Sequence, residues 1–283
     1  MEYIQTIFMG FVQGLSEFLP ISSSAHLVFA SALYKLFVGS ELSLESSQEI
    51  VLDMMLHLGT LFAVFVYYRK KLVSIIKSFF FSIKNNDYSS DDTKLGGYII
   101  SGTFVTIFVA LLLHNTAEML VFKPNLVGVL LIFTGLFLLI CENLARFINK
   151  SKPNSDEKRF SVKDVILISI AQGLACLPGF SRSGLTIATG ILLGHTRTKS
   201  ADFSFLLSVP IILGASIVYP LLKVDFSELL TFNWLAILVG VVVSAITGYF
   251  CIKYFIKFLA KFSLAFFGGY CLIIGILAAI FLG

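Results

Sequence analysis

Charged residues are scarce in this sequence, at 13% of 283 positions, about half the fraction typical of soluble globular domains. Hydrophobic residues make up 57%, and the mean hydropathy is +0.91. So much apolar surface cannot be buried inside one water-soluble core. The composition therefore predicts an integral membrane protein, in which lipid is the solvent for much of the chain.

The sequence also lacks the patterns of common metal and nucleic-acid sites. Its four cysteines form no CxxC pair and no His–Cys spacing typical of zinc, so we expect plain thiols in apolar surroundings. They are Cys141, Cys176, Cys251 and Cys271. The net charge of +4 is too small and too dispersed for a nucleic-acid surface, so no nucleic-acid partner is expected.

Long apolar runs predict an all-α protein with six transmembrane helices, each near the ~20 residues that cross ~30 Å of hydrocarbon. The runs cover 50–68, 97–113, 126–145, 203–222, 232–252 and 263–282. Two other regions, 1–37 and 162–195, are apolar at both ends but interrupted by Pro, Ser, Gly and charged residues. Because each half is too short to cross alone, we predict two re-entrant helix–loop–helix segments. Their broken backbone must face protein or a wet cavity.

The distribution of Lys and Arg predicts the orientation of the chain. If the loop after the first span is cytoplasmic, seventeen of the 21 basic residues lie on that side. Only Lys35, Lys123 and Lys223 lie outside, and Arg182 falls inside the second broken segment. The first broken segment then opens to the outside and the second to the cytoplasm.

This topology predicts an inverted pair of repeats within a single membrane domain, 1–283. The first repeat would cover 1–148 and the second 160–283. Both broken segments contain Gln-Gly-Leu, then Leu-Pro, then closely spaced serines, at a constant separation of 158 or 159 residues. A chance match of two Leu- and Ser-rich stretches is the alternative. Inverted repeats with broken helices place their binding site at the repeat interface.

Three ionisable side chains, Glu17, His26 and Arg182, fall at the two predicted breaks. Such groups are costly at membrane depth and persist mainly where they pair or act. The serines after each proline are good N-caps, so both returning helices would aim positive ends at the interior. Helix N-termini and a bidentate Arg both suit phosphate. The alternative is a structural plug, in which Glu17 and His26 merely neutralise Arg182.

The same residue types form a hydrolytic set around a phosphate. A Ser beside a base is an activated nucleophile, and a His that titrates near neutral pH can protonate a leaving oxygen. Phosphoryl transfer otherwise depends mainly on positioning and on neutralising charge.

Two motifs carry a specific resemblance. Residues 13–26 read QGLSEFLPISSSAH and resemble the (E/Q)xxxE–PxSS–H stretch of the bacterial undecaprenyl-diphosphate phosphatases, the family linked to bacitracin resistance. Residues 178–184 read PGFSRSG and resemble that family's PGxSRSG motif. Together with chain length and hydropathy, the resemblance covers essentially the whole chain.

The resemblance implies hydrolysis of undecaprenyl diphosphate to undecaprenyl phosphate and phosphate, which recycles the lipid carrier of cell-wall synthesis. It further implies a multi-pass protein of the bacterial plasma membrane, surrounded by membrane lipids and acting on a polyprenyl diphosphate. The active site would open to the outer face, and the cofactor would be a divalent cation, Mg²⁺ or Ca²⁺.

The residue pattern and the resemblance together predict roles. Arg182 clamps the diphosphate, Ser23 touches the scissile phosphate, and His26 is general acid or base. Either Ser23 or His26 is the nucleophile. Glu17 orients one of them or helps to hold the cation. The other predicted pocket residues are Gln13, Ser22, Ser181, Ser183 and Gly184. Many family members have Glu where this chain has Gln13, and the lost charge weakens a metal-ligand role there.

Three other functions compete with hydrolysis. A lipid-phosphate transporter or flippase would use the same anion site without cleaving the lipid. An acid-phosphatase-like enzyme needs a PSGH motif and an SRxxxxxH motif, but here no His follows Ser181 and Arg182 until His195. A non-catalytic scaffold would carry a polar cluster at depth as an unneeded cost. The Gly-rich span 264–283 allows close helix packing, and a homodimer is one option that it leaves open.

Four further residues have weaker functional signals. Asp53 and His57 share one helical face at i and i+4, so they either line the cavity, pack internally or lie at the outer interface. His114 and His195 fall at span ends and are expected at the surface or the membrane interface.

Overall fold

A computed structural model of the chain describes residues 3–38, 47–121, 123–149, 158–224 and 228–282. These ranges contain helices and connecting turns and no strand, which confirms the all-α class. The helices are α1 Tyr3–Ser16, α2 Ser23–Val38, α3 Ser47–Asn85, α4 Asp91–Val121, α5 Pro124–Asn149, α6 Val162–Leu174, α7 Arg182–Leu192, α8 Arg197–Lys223, α9 Trp234–Leu259 and α10 Ala265–Phe281, with a 3₁₀ turn at Glu228–Thr231.

Five helices of the described chain, α3, α4, α5, α8 and α9, are long and apolar enough to cross a bilayer. The described chain is therefore that of a multi-pass membrane protein. The sixth predicted span corresponds to α10, which is apolar but has 17 residues. At 1.5 Å per residue, α10 is about 26 Å long.

α3 is much longer than the predicted span 50–68, because it continues to Asn85 as a 39-residue helix. The basic residues that follow the apolar run belong to this extension and not to a loop. Residues 69–85 contain no Gly or Pro that would interrupt the helix, and long basic side chains can reach water from a helix end. The helix stops where Asn86 adopts a φ of 52°, a left-handed conformation common at helix C-termini.

The two interrupted segments appear as pairs of short helices, α1 with α2 and α6 with α7. The first break covers residues 17–22 and contains Ser22 with a φ of 69°, and the second covers 175–181 and contains Gly179 with a φ of 104°. Ser181 caps α7, since its side chain accepts the backbone N–H of Gly184. Ser22 acts similarly on α2 by accepting the N–H of Ala25 at 3.3 Å.

Each short helix that enters a break packs against a long helix of the other half, α1 against α9 and α6 against α4. Both contacts depend on a glycine at the corresponding position. A Cβ on Gly14 would lie 2.6 Å from the carbonyl oxygen of Ser244, and one on Gly173 would lie 2.5 Å from the Cβ of Val109. The first break is also anchored by Phe18, which is fully buried and packs edge-on against Phe205 at 5.3 Å.

Glycines also join α5 to α10. A Cβ on Gly135 would lie 2.7 Å from the carbonyl oxygen of Gly268, and one on Gly275 would lie 2.7 Å from that of Gly128. The close packing expected of residues 264–283 is therefore used within the chain.

Candidate active site

The two breaks meet through an ion pair between Glu17 and Arg182. Glu17 is the first residue after α1, and Arg182 is the first residue of α7. Arg182 Nη2 donates to Glu17 Oε1 over 2.6 Å, and the side chains are only 16% and 6% exposed. Removing two charges from water is costly, so an ion pair buried this deeply needs further hydrogen bonds from its surroundings to offset that cost. The predicted approach of the two break points is thus present in the structure.

The other carboxylate oxygen of Glu17 accepts two hydrogen bonds. Ser23 Oγ donates to Oε2 over 2.5 Å, and Gln13 Nε2 donates over 3.0 Å. Ser23 opens α2, and Gln13 lies one turn before Glu17 in α1. Glu17 is therefore positioned to take a proton from Ser23, which is the arrangement that activates a hydroxyl nucleophile.

α3 adds His57 and Asp53 to the edge of this cluster. His57 Nε2 lies 3.7 Å from Glu17 Oε2, and His57 Nδ1 lies 2.8 Å from the carbonyl oxygen of Asp53. The sequence left three places open for Asp53 and His57: lining the cavity, packing internally or lying at the outer interface. The structure favours the first, since both residues lie beside the cluster. The only sequence signal was the i, i+4 spacing, which did not say what that helix face would meet.

His26 lies one helical turn beyond Ser23 and makes a different set of contacts. Its Nδ1 lies 2.8 Å from the carbonyl oxygen of Ser22, and its Nε2 lies 2.8 Å from the hydroxyl of Tyr270. A carbonyl only accepts, so Nδ1 carries a proton. Tyr270 comes from α10 and its ring is nearly parallel to that of His26, at 10°. No motif pointed to Tyr270, because its role depends only on how α10 packs.

The remaining predicted pocket residues mainly join the two breaks. Ser183 Oγ donates to the carbonyl oxygen of Leu19 over 2.8 Å. The hydroxyl oxygens of Ser181 and Ser183 lie 3.3 Å apart. A Cβ on Gly184 would lie 3.3 Å from the Cβ of Pro20. These residues hold α7 against the first break, and so they position Arg182 beside Glu17.

Three buried atoms of the cluster have no hydrogen-bond partner within the described residues. They are Arg182 Nη1, Gln13 Oε1 and Asp53 Oδ1. An unpaired buried polar group costs about 1–3 kcal/mol. A ligand with negatively charged oxygens could accept a hydrogen bond from Arg182 Nη1. A cation bound with that ligand could contact Gln13 Oε1 and Asp53 Oδ1.

Two further buried polar clusters lie apart from the breaks. Glu142 pairs with Arg197 and accepts the backbone N–H of Leu264 at 3.3 Å. His195 is 1% exposed, and its Nε2 lies 3.2 Å from Asp164. The expectation of a surface or interfacial His195 is therefore wrong, because its ring stacks on Phe160 at 4.0 Å. Burial lowers the pKa of His195 below its ordinary value, although the hydrogen bond to Asp164 acts in the opposite direction.

The chain matches one family model over nearly its whole length. That family is described as bacitracin resistance protein BacA, and the match covers residues 6–277. Both break motifs fall within the matched region.

Full-length relatives carry names that describe an activity. An undecaprenyl-diphosphatase of Methanobrevibacter smithii is 38% identical over 292 residues, covering 100% of this chain and 98% of the relative. Undecaprenyl-diphosphatase 2 of Stutzerimonas stutzeri is 38% identical, with 100% of both chains covered. An undecaprenyl-diphosphatase of Halothermothrix orenii is 35% identical, covering 100% of this chain and 99% of the relative.

Proposed function

Since the chain belongs to the bacitracin resistance protein BacA family, we infer that it hydrolyses undecaprenyl diphosphate to undecaprenyl phosphate and inorganic phosphate. It is a multi-pass membrane hydrolase that returns the lipid carrier to cell-wall synthesis, and resistance to bacitracin is the known role of its family. The single observation that carries this function within the molecule is the contact of Glu17 with both Arg182 and Ser23.

For the architecture, we propose six spans and two re-entrant segments in an inverted repeat. Each half contains two short helices followed by three longer ones. The halves also exchange equivalent contacts, α1 with α9 and α6 with α4. The excess of basic residues on one side supports a plasma-membrane orientation in which the first break, and thus the active site, opens outward.

Substrate binding begins at Arg182. Its Nη2 is held by Glu17, whereas its buried Nη1 has no partner within the described residues. A phosphate oxygen that accepts from Nη1 would satisfy this donor while the carboxylate fixes the plane of the guanidinium. Burial strengthens such a charge-assisted bond, because little water competes for it.

We assign nucleophilic attack to Ser23. Its Oγ forms a bond to the terminal phosphorus, the bond from that phosphorus to the bridging oxygen breaks, and the electron pair leaves with undecaprenyl phosphate. The proton of Ser23 passes to Glu17 Oε2, 2.5 Å away. Water then attacks the phosphorus of the phosphoserine while His26 Nε2 takes its proton as general base. The bond from phosphorus to Ser23 Oγ breaks, inorganic phosphate leaves, Glu17 returns its proton to Ser23 Oγ, and His26 releases its proton to water. Direct attack by His26 Nε2 is the alternative.

The cofactor that the family resemblance implies, Mg²⁺ or Ca²⁺, fits this donor set only with help from the substrate. Glu17, Asp53 Oδ1 and Gln13 Oε1 are oxygen ligands of the class that both cations prefer. The described residues contain no group of three or more His, Cys, Asp or Glu that could hold a metal ion, so diphosphate oxygens would complete the coordination. When bound, the cation would neutralise charge on the diphosphate.

An apolar groove of about 600 Å³ is available for the prenyl chain. It lies between α1, α9 and α10 and begins at Leu19, two residues from Glu17. Leu15, Phe250 and Phe267 are among the side chains that continue it. A long apolar chain in this groove would place its diphosphate at the first break.

Phosphate release from a C55 diphosphate by purified protein in detergent tests the function. We expect turnover by wild type and by Ser24→Ala, because among the described residues the Ser24 hydroxyl bonds only that of Ser22, at 3.2 Å. We expect near-complete loss in Ser23→Ala and His26→Ala. Rapid acid quenching should trap an acid-stable phosphoserine. An acid-labile, alkali-stable phosphoenzyme would transfer the nucleophilic role to His26.

The same assay separates hydrolysis from transport. Detergent micelles contain no second compartment, so a transporter or flippase would bind the lipid and release no phosphate. Absence of phosphate release by correctly folded wild-type protein would therefore contradict the inferred function. The homodimer stays a prediction, since Gly268 and Gly275 of α10 already pack against α5 of the same chain.

A further inference from the structure

A second cavity lies away from the catalytic cluster, where α3, α4 and α8 approach each other beside the residues that precede α6. It has a volume of about 650 Å³, and we call it the head pocket. Lys71 of α3 lines it, 14 residues beyond His57, which corresponds to about 21 Å along a helix. The head pocket is therefore not part of the active site.

The head pocket has a surplus of positive charge. Four basic residues line it, Lys71, Lys94, Arg159 and Lys199, against the two carboxylates of Asp91 and Asp202. Lys71 pairs with Asp92 at 2.5 Å and Arg159 with Asp91 at 3.5 Å. Asp202 is occupied by the hydroxyl of Tyr68, which donates over 2.6 Å. Lys94 makes no ion pair within the described residues, so its charge is available to a ligand.

Aromatic rings form an apolar wall beside these charges. Phe160 and Phe203 stack at 4.4 Å, and the ammonium group of Lys199 lies 5.8 Å from the centre of the Phe160 ring. Tyr98 lies on the same wall. A ligand in this cavity would therefore meet both cationic groups and apolar ring surfaces.

A second, apolar groove lies between the same three helices, next to the head pocket. This tail groove has a volume of about 370 Å³ and shares Leu206 with the head pocket. Its walls include Ile75, Phe79, Ile99 and Val209. Thr103 also lines the tail groove, but its hydroxyl already donates to the carbonyl oxygen of Ile99 over 2.7 Å. The groove therefore offers a hydrocarbon chain an apolar bed along the membrane-facing helices.

Because the two cavities adjoin at Leu206, we propose that together they form a binding site for an anionic glycerophospholipid of the bilayer, separate from the catalytic site. The phosphate would lie among Lys71, Lys94 and Arg159, and one acyl chain would follow the tail groove. The head pocket is larger than a bare phosphate needs, which favours a glycerophosphate head. Basic residues at a membrane surface attract such lipids, and the tail groove selects against a soluble anion.

The test uses the full chain, purified in a neutral detergent, with bound lipid counted by native mass spectrometry. We expect long-chain phosphatidylglycerol to bind and phosphatidylcholine to bind much more weakly. The double variant Lys94→Gln/Arg159→Gln should bind phosphatidylglycerol about thirtyfold more weakly, at about fivefold for each basic residue near the lipid surface. Both side chains are exposed, so their loss should change folding little.

A matched control is Lys70→Gln/Lys77→Gln, which removes two exposed charges of α3 that do not line the head pocket. It should keep wild-type affinity. Thr103→Phe fills the tail groove. It should weaken the binding of the long-chain lipid and leave the weak binding of glycerol phosphate unchanged.

Three results would overturn the proposal. Equal losses in the two double variants would indicate only general surface charge. Glycerol phosphate or inorganic phosphate that competes as well as the long-chain lipid would indicate a soluble-anion site. Undecaprenyl phosphate that displaces phosphatidylglycerol at equal or lower concentration would indicate a product site.

Discussion

Replacing Glu17 by glutamine removes one charge from the catalytic cluster with almost no change in shape. The carboxylate uses Oε1 for Arg182 and Oε2 for Ser23 and Gln13. An amide has one acceptor oxygen, so whichever way it turns, its N–H₂ group faces a former donor. Arg182 also loses its counter-charge in a largely buried position.

Two consequences of Glu17→Gln can be given a size. Removing one partner of a buried ion pair costs about 3–5 kcal/mol, and because Arg182 is still 16% exposed, we expect about 2–3 kcal/mol of lost stability. Removing the base that accepts the Ser23 proton should lower kcat by about 10²–10⁴-fold. The two effects are separated by dividing phosphate release by the folded fraction.

The chain offers a matched control for this variant in Glu142→Gln. Glu142 is 2% exposed and also pairs with an arginine, Arg197, in a cluster apart from the breaks. Its replacement should lower the thermal unfolding temperature but leave kcat per folded molecule unchanged. Wild-type turnover in Glu17→Gln, or equal losses of turnover in both variants, would refute the assignment of Glu17 as the base.

Other variants test the neighbouring residues. Arg182→Lys keeps the charge but loses the planar fork, so kcat/KM for phosphate release should fall about a hundredfold; wild-type kinetics would exclude bidentate recognition. Tyr270→Phe removes the hydroxyl that bonds His26 Nε2, and we expect kcat to fall about three- to tenfold with KM unchanged; a change confined to KM would contradict this role. Gly179→Ala places a Cβ at a φ of 104° and 2.5 Å from a carbonyl oxygen of α5, which should cost about 2–5 kcal/mol in denaturant unfolding. Gly97→Ala, where a Cβ meets no atom within 4 Å, should instead be neutral or slightly stabilising; an equal loss in both glycine variants would show that conformation at the break is not the cause.

Much of the site was predictable because its residues are clustered along the chain. Gln13, Glu17 and Ser23 lie within one interrupted segment, so the local rules of helix ends already bring them close. Arg182 is 165 positions from Glu17, and its approach was predictable only through the repeated pattern that implied two meeting breaks. The variants described above test the predicted roles of these residues.

Other residues could not be predicted, because the sequence does not show which helix faces meet. His57 reaches Glu17 through the packing of α3 beside the first break, and Tyr270 reaches His26 from α10. The hydroxyls of Ser181 and Ser183 contact each other, the carbonyl oxygen of Leu19 in the first break and the backbone N–H of Gly184 in α7, contacts that the sequence did not show; their role as ligands of the substrate stays a prediction.

The sequence by itself determined the membrane class, the helical secondary structure and the two interruptions, since hydropathy and the chemistry of Pro, Gly and Ser act over a few neighbouring residues. Only the tertiary structure decided how Glu17 divides its two oxygens between Arg182 and Ser23. It also decided that Arg182 Nη1 remains without a partner within the described residues. Hydrogen-bond partners are selected by distances of a few tenths of an ångström, and those distances depend on the packing of helices that are far apart in the chain.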